Sequence, residues 1–289
     1  LIISYTILPN IFGSIIAKKF NLKIINSITG LGSLFLTKSI SNPFIKFIYK
    51  KTLSFSNNII VLNEGDKVFL TTNNFIDKNK IVLINGEGVD TNFYKPINQL
   101  DEKSFKFLFI GRLIEEKGIF EFISAANKFL NQQHDSEIKF YILGDFDNGN
   151  RTGLTKDSFF KLIDSNKQIE YLGYKSDLRS VIANADCIVL PSYREGLSRV
   201  LLEAASMSKP VVSTDVPGCN DVIIDGLNGY LCKSKDQNEL FKAMFKMYIT
   251  NKEERIIMGE NSRKYIIEKF SSEIINKEFH KTIKKHISL

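Results

Sequence analysis

Two glutamates and a glycine occur close together where an apolar run gives way to a helical pattern. Glu195 and Gly196 lie in the turn, and Glu203 lies one to two turns into a helix predicted to begin near Ser198. The free N–H groups and the dipole at such a helix start favour an anion such as a diphosphate. Two carboxylates would repel a diphosphate unless they bind hydroxyl groups. A nucleotide-sugar offers hydroxyls on its sugar and its ribose, so the segment predicts a site for such a ligand.

The alternative for these acids is structural, with Glu195 as a capping residue and Glu203 as a surface acid. Their spacing, together with Gly196 and the preceding strand, disfavours that interpretation.

A second loop carries two cations, Arg112 and Lys117, after the apolar run 105–110. Arg can bind a phosphate through two parallel hydrogen bonds, whereas Lys acts as a point charge. Taken alone, this second loop is more often a pair of solvated charges than a phosphate site.

The elements that must position these loops alternate between strand and helix. The predicted strands are 1–6, 23–28, 58–62, 80–84, 105–110, 138–143, 169–172, 187–190, 210–213 and 230–231, and the predicted helices are 119–131, 177–184, 199–207, 237–250 and 252–269. This alternation indicates parallel sheets with helices on both faces. A polar hinge, 94–103, separates four strands from six, and six strands complete one doubly wound domain. We expect the first domain to lack residues upstream.

Composition is that of a folded globular protein, with 43% hydrophobic and 25% charged residues over 289 positions. Neither the three cysteines nor the three histidines have metal-ligand spacing, and the cysteines suggest a reducing cytoplasm. The most apolar stretch, 1–17, is broken by Pro9, Asn10 and Gly13, so it does not form an uninterrupted membrane span. We therefore expect a cytoplasmic protein without a metal.

Charge is distributed unevenly, because residues 1–63 contain seven lysines and no acidic residue. Such a bias indicates an anionic partner. The absence of arginine from this region disfavours nucleic acid and leaves an anionic membrane or a pyrophosphate-bearing substrate. Lys46, Lys50 and Lys51 alternate with Phe44 and Phe47. That pattern fits a membrane-facing helix and, equally, an amphipathic helix that packs its aromatic side inward.

Glu195 and Glu203, with seven residues between them, resemble the E-x7-E signature of retaining glycosyltransferases of family 4. Further resemblances occur in the expected order: Gly111-Arg112-Leu113 with Glu116-Lys117-Gly118, Gly86-Glu87-Gly88-Val89-Asp90, Leu172-Gly173-Tyr174, Asp186 through Pro191-Ser192, and Thr214-Asp215-Val216-Pro217-Gly218-Cys219. The segments 5–14 and Thr29-Gly30-Leu31-Gly32 are similar to capsule, O-antigen and lipid-linked oligosaccharide transferases. The resemblance covers essentially the whole chain.

The resemblance implies an α/β protein of the GT-B fold, with two Rossmann-like doubly wound domains facing a cleft, the first one N-terminally incomplete. We place the acceptor-binding domain at 1–98, the donor-binding domain at 99–270, and a helix returning toward the first domain at 271–289. The implied acceptor is a polyprenyl-pyrophosphate-linked sugar or a glycan at the inner face of the cytoplasmic membrane. The family's glycine-rich loop in the first domain is absent, and Leu8 stands where close relatives carry Lys.

The resemblance also implies a role for each site residue. Arg112 and Lys117 hold the diphosphate of a UDP-sugar and stabilise the leaving group, and Gly111 lies in the same loop. Glu195 binds the transferred sugar and Glu203 the ribose. Tyr174 lies near the base, and the backbone of Leu197 and Ser198 contacts phosphate. The donor is a substrate, and neither a cofactor nor a metal is implied.

Two other functions remain open, a nucleotide-sugar epimerase on the same fold and a catalytically incomplete donor-binding protein. The E-x7-E spacing disfavours the epimerase. Asp145-Phe146-Asp147 has the form of a metal-binding Asp-x-Asp of another glycosyltransferase fold, but we interpret it as a polar turn after a strand.

Overall fold

A computed structural model of the chain describes residues 1–31, 43–97, 104–133, 137–147, 149–164 and 166–287. Gly32 and the hinge residues 98–103 lie outside this description, as do one of the seven lysines of residues 1–63, Lys38, and one of the three histidines, His134. The chain divides into two compact units, Leu1–Gly88 with the segment from Ser272 onward, and Val89–Ser271. None of the described helices is both long and apolar enough to span a bilayer.

The first unit contains a sheet of four parallel strands in chain order. The strands are β1 (Ile2–Tyr5), β2 (Ile24–Ile28), β3 (Asn58–Val61) and β4 (Ile81–Leu83), and the helices between them are α1 (Ile7–Lys19), α2 (Pro43–Leu53) and α3 (Glu64–Thr72). All five residues of β2 are buried, because a parallel sheet is covered on both faces. The apolar stretch 1–17 is therefore β1 and most of α1.

The second unit contains six parallel strands. They are β5 (Phe105–Ile110), β6 (Ile138–Leu143), β7 (Ile169–Tyr171), β8 (Cys187–Leu190), β9 (Val211–Thr214) and β10 (Gly229–Cys232). Their spatial order is β10-β9-β8-β5-β6-β7, so the direction of chain progression reverses between β5 and β8. Ligands of open parallel sheets bind beyond the carboxyl ends of the strands at such a reversal. The loops after Ile110 and Leu190 begin there.

Helices cover both faces of this sheet and enclose two apolar cores. The helices are α4 (Ile119–Gln133), α5 (Lys156–Ile163), α6 (Arg179–Ala183), α7 (Arg199–Ser206), α8 (Gln237–Ile249) and α9 (Lys252–Lys269). Side chains of a strand alternate between faces. Phe107 and Phe109 of β5 accordingly enter the core that contains α4, whereas Leu108 and Ile110 enter the core that contains α7.

The chain then returns to the first unit through α10 (Ser272–Lys284). Ile275 of α10 packs with Ile25, Ile60 and Ile84 of the first sheet. The compact units divide at Gly88, ten residues before the predicted boundary at 98. The reason is that Val89 N–H donates to Phe270 O (2.9 Å), which ties the following turn to the second unit.

All ten predicted strands and all five predicted helices are present, with ends that differ by no more than two residues. The sequence analysis did not predict α5, which Thr155 caps by accepting from Ser158 N. Cys187, Cys219 and Cys232 are free and buried. Burial raises the pKa of Cys219 and Cys232 to about 12 and that of Cys187 further.

Candidate functional site

The loops after β5 and β8 are joined through their backbones. Tyr193 N–H donates to Glu116 O (2.9 Å). Gly118 ends the 3-10 turn Glu115–Lys117 in the left-handed region, with φ of 73°. A Cβ at this position would lie 2.2 Å from Pro191 O. Only glycine therefore allows the two loops to approach this closely.

The loop after β9 holds the turn that carries Glu195. Glu195 N–H donates to Pro217 O and Ser198 N–H donates to Gly218 O, each at 3.1 Å. Gly218 has φ of 82°, and a Cβ there would lie 2.5 Å from Glu195 O. The position of Glu195 is thus fixed by backbone contacts on both sides of the turn.

Lys117 and Glu195, which the sequence analysis assigned to different parts of the donor, form an ion pair. Lys117 Nζ donates to Glu195 Oε1 at 2.5 Å, and Ser192 Oγ donates to the same oxygen at 2.7 Å. The two side chains are only 22% and 12% exposed. The three loops at the sheet reversal therefore place one cation and one anion in direct contact.

Arg112 has a different partner. Its Nη1 donates to Asp147 Oδ2 at 2.7 Å, and the arginine side chain is 57% exposed. Asp145 O accepts from Leu113 N in the same loop pair. The sequence analysis interpreted Asp145-Phe146-Asp147 as a polar turn and did not identify Asp147 as the partner of Arg112. No spacing rule relates residues 112 and 147, because their contact arises from the pairing of β5 with β6.

A pocket of about 340 Å³ opens beside the ends of β5 and β6. It is lined by four of the predicted site residues, which are Gly111, Arg112, Tyr174 and Glu203. It is also lined by Tyr94, Asp145, Lys175 and Arg199, which the sequence analysis did not select. Lys117, Glu195, Leu197 and Ser198 are not among the lining residues. The ion pair is nevertheless next to the pocket, because a Cβ at Gly111 would lie 3.7 Å from Lys117 Cγ.

Glu203 is the buried acid of this pocket, with 5% of its surface exposed. Desolvation raises the pKa of its carboxyl group, while hydrogen bonds from Tyr94 and Arg199 act in the opposite direction. The Arg199 Nη2 to Glu203 Oε1 distance is 3.5 Å. Burial and the Glu203 carboxylate together raise the pKa of Tyr94 to about 12, so the phenol is protonated at neutral pH.

The start of α7 supplies backbone donors at the edge of the pocket. Ser198 caps the helix by accepting from Leu201 N at 3.4 Å, while its own N–H is taken by Gly218 O. The N–H groups of Arg199 and Val200 belong to the first turn, which has no acceptors within the helix. Val200 also lines the pocket. The first-turn amides of Arg199 and Val200, rather than that of Ser198, are therefore the backbone candidates for binding an anion.

The pocket combines cationic side chains with helix amides and one buried carboxylate. Among the described residues, no group of three or more His, Cys, Asp or Glu side chains is placed to hold a metal ion. The arrangement offers donors for an anion at one side and an acceptor for hydroxyl groups at the other.

Comparison with known proteins identifies relatives of this site. The chain is 27% identical over 247 residues to the capsular polysaccharide biosynthesis glycosyltransferase CapM of Staphylococcus aureus, covering 81% of this chain and 63% of that protein. It is 26% identical over 251 residues to the N,N'-diacetylbacillosaminyl-diphospho-undecaprenol alpha-1,3-N-acetylgalactosaminyltransferase of Campylobacter jejuni, with the same shares. The chain thus covers slightly less than two thirds of the length of these two relatives.

Solved structures share the fold. The Anabaena protein Alr3699/HepE, solved in complex with UDP, superposes with a TM-score of 0.83 at 17% identity, over 98% of this chain and 78% of that one. The architecture is GT-B, with two Rossmann-like units each built on a parallel sheet. The profile of the family described as "Glycosyl transferases group 1" matches residues 90–265, more than half of the chain and nearly all of the second unit. The protein belongs to the glycosyl transferases group 1 family.

Proposed function

We propose that the protein is a retaining glycosyltransferase that moves a sugar from a UDP-sugar onto a lipid-linked or polysaccharide acceptor in surface-glycan synthesis. The observation that carries this proposal is the buried carboxylate of Glu203 in a pocket that also contains Arg112 and the start of α7. A carboxylate and an anion site side by side match a ribose joined to a diphosphate.

The proposed donor pose follows from which groups line the pocket and which lie beside it. The base would rest near Tyr174, which is exposed at the pocket rim. The ribose would bind Glu203, and the diphosphate would bind Arg112 and the first-turn amides of α7. Glu195, paired with Lys117, does not line the pocket itself but lies next to its Gly111 edge, which suits contact with the transferred sugar beyond the diphosphate.

Donor binding would exchange two internal ion pairs for contacts to the ligand. Arg112 would leave Asp147 and bind a phosphate oxygen, and Lys117 would divide its donors between Glu195 and the leaving phosphate. Lys carries three donors, so it can serve both partners. These cations would stabilise the charge that develops on the departing UDP, which supports a reaction without a metal or other cofactor. Retention of configuration is inferred from the family 4 resemblance.

The acceptor class is inferred from relatives and from charge. The Campylobacter jejuni relative is named for a diphospho-undecaprenol acceptor. In this chain the lysine-rich region 1–63 would face an anionic partner. Phe44 and Phe47 of α2 are 67% and 64% exposed, whereas Tyr49 and Leu53 are buried. Their exposure favours the membrane-facing interpretation of α2 over inward packing of the aromatic side, and we propose peripheral binding at the cytoplasmic face of the membrane.

A thermal-shift screen of nucleotide-sugars tests the donor assignment without requiring an acceptor. A ligand that binds only the folded state raises Tm, and the stabilisation grows with the ratio of its free concentration to Kd. We expect UDP and UDP-sugars to raise Tm, and we expect the shift to persist in EDTA. No shift with any UDP compound would contradict the donor assignment, and loss of the shift in EDTA would contradict the metal-free mechanism.

Product analysis separates glycosyl transfer from the two alternatives. An epimerase would convert the UDP-sugar to an isomer without any acceptor, and a binding protein would leave it unchanged even with one. A transferase releases UDP only when an acceptor is present, apart from slow hydrolysis.

A further inference from the structure

Tyr94 is held against α7. Its side chain lines the pocket together with Glu203, and its backbone oxygen accepts from Ser206 Oγ at 2.5 Å. The phenol and the carboxyl group of Glu203 each shift the pKa of the other. Glu203 and Ser206 are three positions apart, so they lie on the same face of the helix. Tyr94 is therefore fixed on the face of α7 that carries the buried carboxylate, and its side chain lies in the same pocket.

The backbone of the same turn is fixed from a second helix. Arg263 of α9 donates through Nη1 to Tyr94 O and through Nη2 to Thr91 O, each at 3.2 Å, and also to Ser206 O. One guanidinium thus joins the turn to the end of α7. Phe93 packs edge-on against the Tyr94 ring, with 5.1 Å between centroids. Both the backbone and one flank of Tyr94 have little freedom to move.

We infer that Tyr94 is a positioning residue for ribose recognition, whose phenol O–H donates to Glu203 and orients the carboxylate that accepts the ribose hydroxyls. This inference rests on the proposed function, because it assigns Glu203 to the ribose. A carboxylate has about four lone-pair sites, so it can accept from Tyr94 and still bind hydroxyl groups. Arg199 supplies a second donor, but at 3.5 Å its contact is weaker.

Two other roles for Tyr94 predict different effects of removing its phenol oxygen. If the phenol occupied the place of a ribose hydroxyl, the ligand would have to displace it, and removing the phenol would tighten binding. If Tyr94 only filled space, removing its oxygen would change the affinity of every nucleotide equally. The three cases therefore predict different changes in nucleotide affinity when the phenol is removed. They differ in whether the affinity rises or falls, and in whether the change depends on the 2'-hydroxyl of the ribose.

The test compares UDP with 2'-deoxy-UDP by titration calorimetry on the wild-type chain and on Tyr94→Phe. We expect the wild type to prefer UDP, and the preference to shrink about three- to tenfold in the variant, the range that one hydrogen bond spans. Tyr230→Phe is the matched control, because the Tyr230 hydroxyl pairs with Thr250 Oγ1 at 3.2 Å outside the pocket. It should leave the preference unchanged.

A pH series provides a second readout. The charged and titratable groups that influence this pair are Arg199, which stabilises the Glu203 carboxylate, and Asp177, which acts on the phenol. Arg112, Asp145 and Lys175 line the same pocket. Loss of the phenol donor raises the pKa of Glu203, so UDP binding by Tyr94→Phe should weaken at a higher pH on acidification than binding by the wild type.

The outcomes separate this inference from the donor assignment. Tighter UDP binding by Tyr94→Phe, equal losses for the two nucleotides, or an unchanged preference with an unchanged pH profile would each overturn the inference. Absence of UDP binding by the wild type would instead overturn the proposed function. A normal Tm for Tyr94→Phe shows that any loss is not caused by unfolding.

Discussion

At the scale of single residues, the two predicted phosphate-binding cations are already paired with carboxylates, but in different surroundings. The Arg112–Asp147 pair is largely exposed, whereas the Lys117–Glu195 pair is mostly shielded from solvent. Exposed pairs contribute about 0–1 kcal/mol, so Arg112 can exchange its partner at little cost. Lys117 is shielded with its partner, so under the proposed function it would bind the phosphate with Glu195 still beside it.

Substitution of these residues should separate diphosphate binding from sugar binding. Lys117→Ala and Arg112→Ala are each expected to weaken UDP binding by about tenfold or more, because each removes a charge-assisted hydrogen bond to the diphosphate. Glu195→Ala should spare UDP and impair binding of the intact UDP-sugar. Calorimetry with UDP and with the UDP-sugar measures the two affinities separately, and Lys233→Ala, which removes an exposed lysine, serves as the control. Equal loss of UDP affinity in the Lys117, Arg112 and Glu195 variants would contradict the assignment of Glu195 to the sugar.

Glu203 should oppose stability while it supports binding. Its folded-state pKa is raised above 4.5, so the folded chain binds this proton more readily than the unfolded chain. The contribution of this carboxyl group to stability is therefore greatest below pH 4.5 and declines as pH rises through its folded-state pKa. Glu203→Gln removes the buried charge, so at pH 7 its Tm should equal or exceed that of the wild type while its UDP affinity falls.

A comparison of Tm at two pH values tests whether the charge of Glu203 lowers the stability of the folded protein. The difference between Glu203→Gln and the wild type should shrink as pH falls to 4.5, where the wild-type carboxyl also becomes neutral. A lower Tm for the variant at pH 7 would mean that the hydrogen bonds to Glu203 outweigh its desolvation.

At the scale of elements, the sequence identified strands more completely than helices. Continuous apolar runs such as β5 are unambiguous because both faces of a parallel strand are buried. α5 was missed because only Phe159 and Ile163 of its eight residues are buried, whereas six of the eight residues of α7, which was predicted, are buried. Such a short apolar face gives a weak periodic signal.

The candidate site was predictable where the chemistry is local. Gly111, Arg112 and Glu203 were selected from loop and helix position together with the family 4 resemblance, and all three line the pocket. The sequence analysis did not identify Tyr94 and Asp147 as site residues, because each reaches the site through tertiary contacts from another part of the chain. Backbone near Leu197 and Ser198 was expected to contact phosphate, and this stays a prediction. The Ser198 N–H itself donates to Gly218 O, a contact that the local sequence does not reveal.

The contact between the two main loops should depend on Gly118. Gly118→Ala places a methyl group against Pro191 O in addition to backbone strain, so both Tm and UDP affinity should fall. Gly226→Ala is the matched control, because Gly226 has a similar φ of 77° but a Cβ there meets nothing within 4 Å. The control isolates the strain, about 1–2 kcal/mol. Equal Tm losses in the two variants would show that the loops can separate without consequence.

At the scale of the whole molecule, positive charge and exposed aromatic side chains coincide in α2. Lys50 and Lys51 are exposed on the same helix as Phe44 and Phe47. Each lysine near an anionic bilayer contributes about 1 kcal/mol, so several together give reversible, salt-sensitive binding. Exposed aromatic rings add shallow insertion.

Co-sedimentation with liposomes tests this membrane assignment. Binding is expected to require anionic lipid, to fall as salt rises, and to weaken when Lys46, Lys50 and Lys51 are changed to Glu. Changing the exposed Lys139, Lys161 and Lys167 of the second unit to Glu alters net charge by the same amount and should have much less effect. Equal binding to neutral vesicles, or equal losses in the two triple variants, would reject α2 as the membrane-facing helix.

The burial of all three cysteines has a practical consequence for following the donor site. Maleimides react with accessible thiolates, and the native thiols are both enclosed and held protonated at neutral pH. A single cysteine introduced at exposed Lys175, at the pocket rim, would be the accessible thiol of the described chain. A fluorophore attached there reports nucleotide entry without removal of any native cysteine, and the wild-type sequence itself is the unlabelled control.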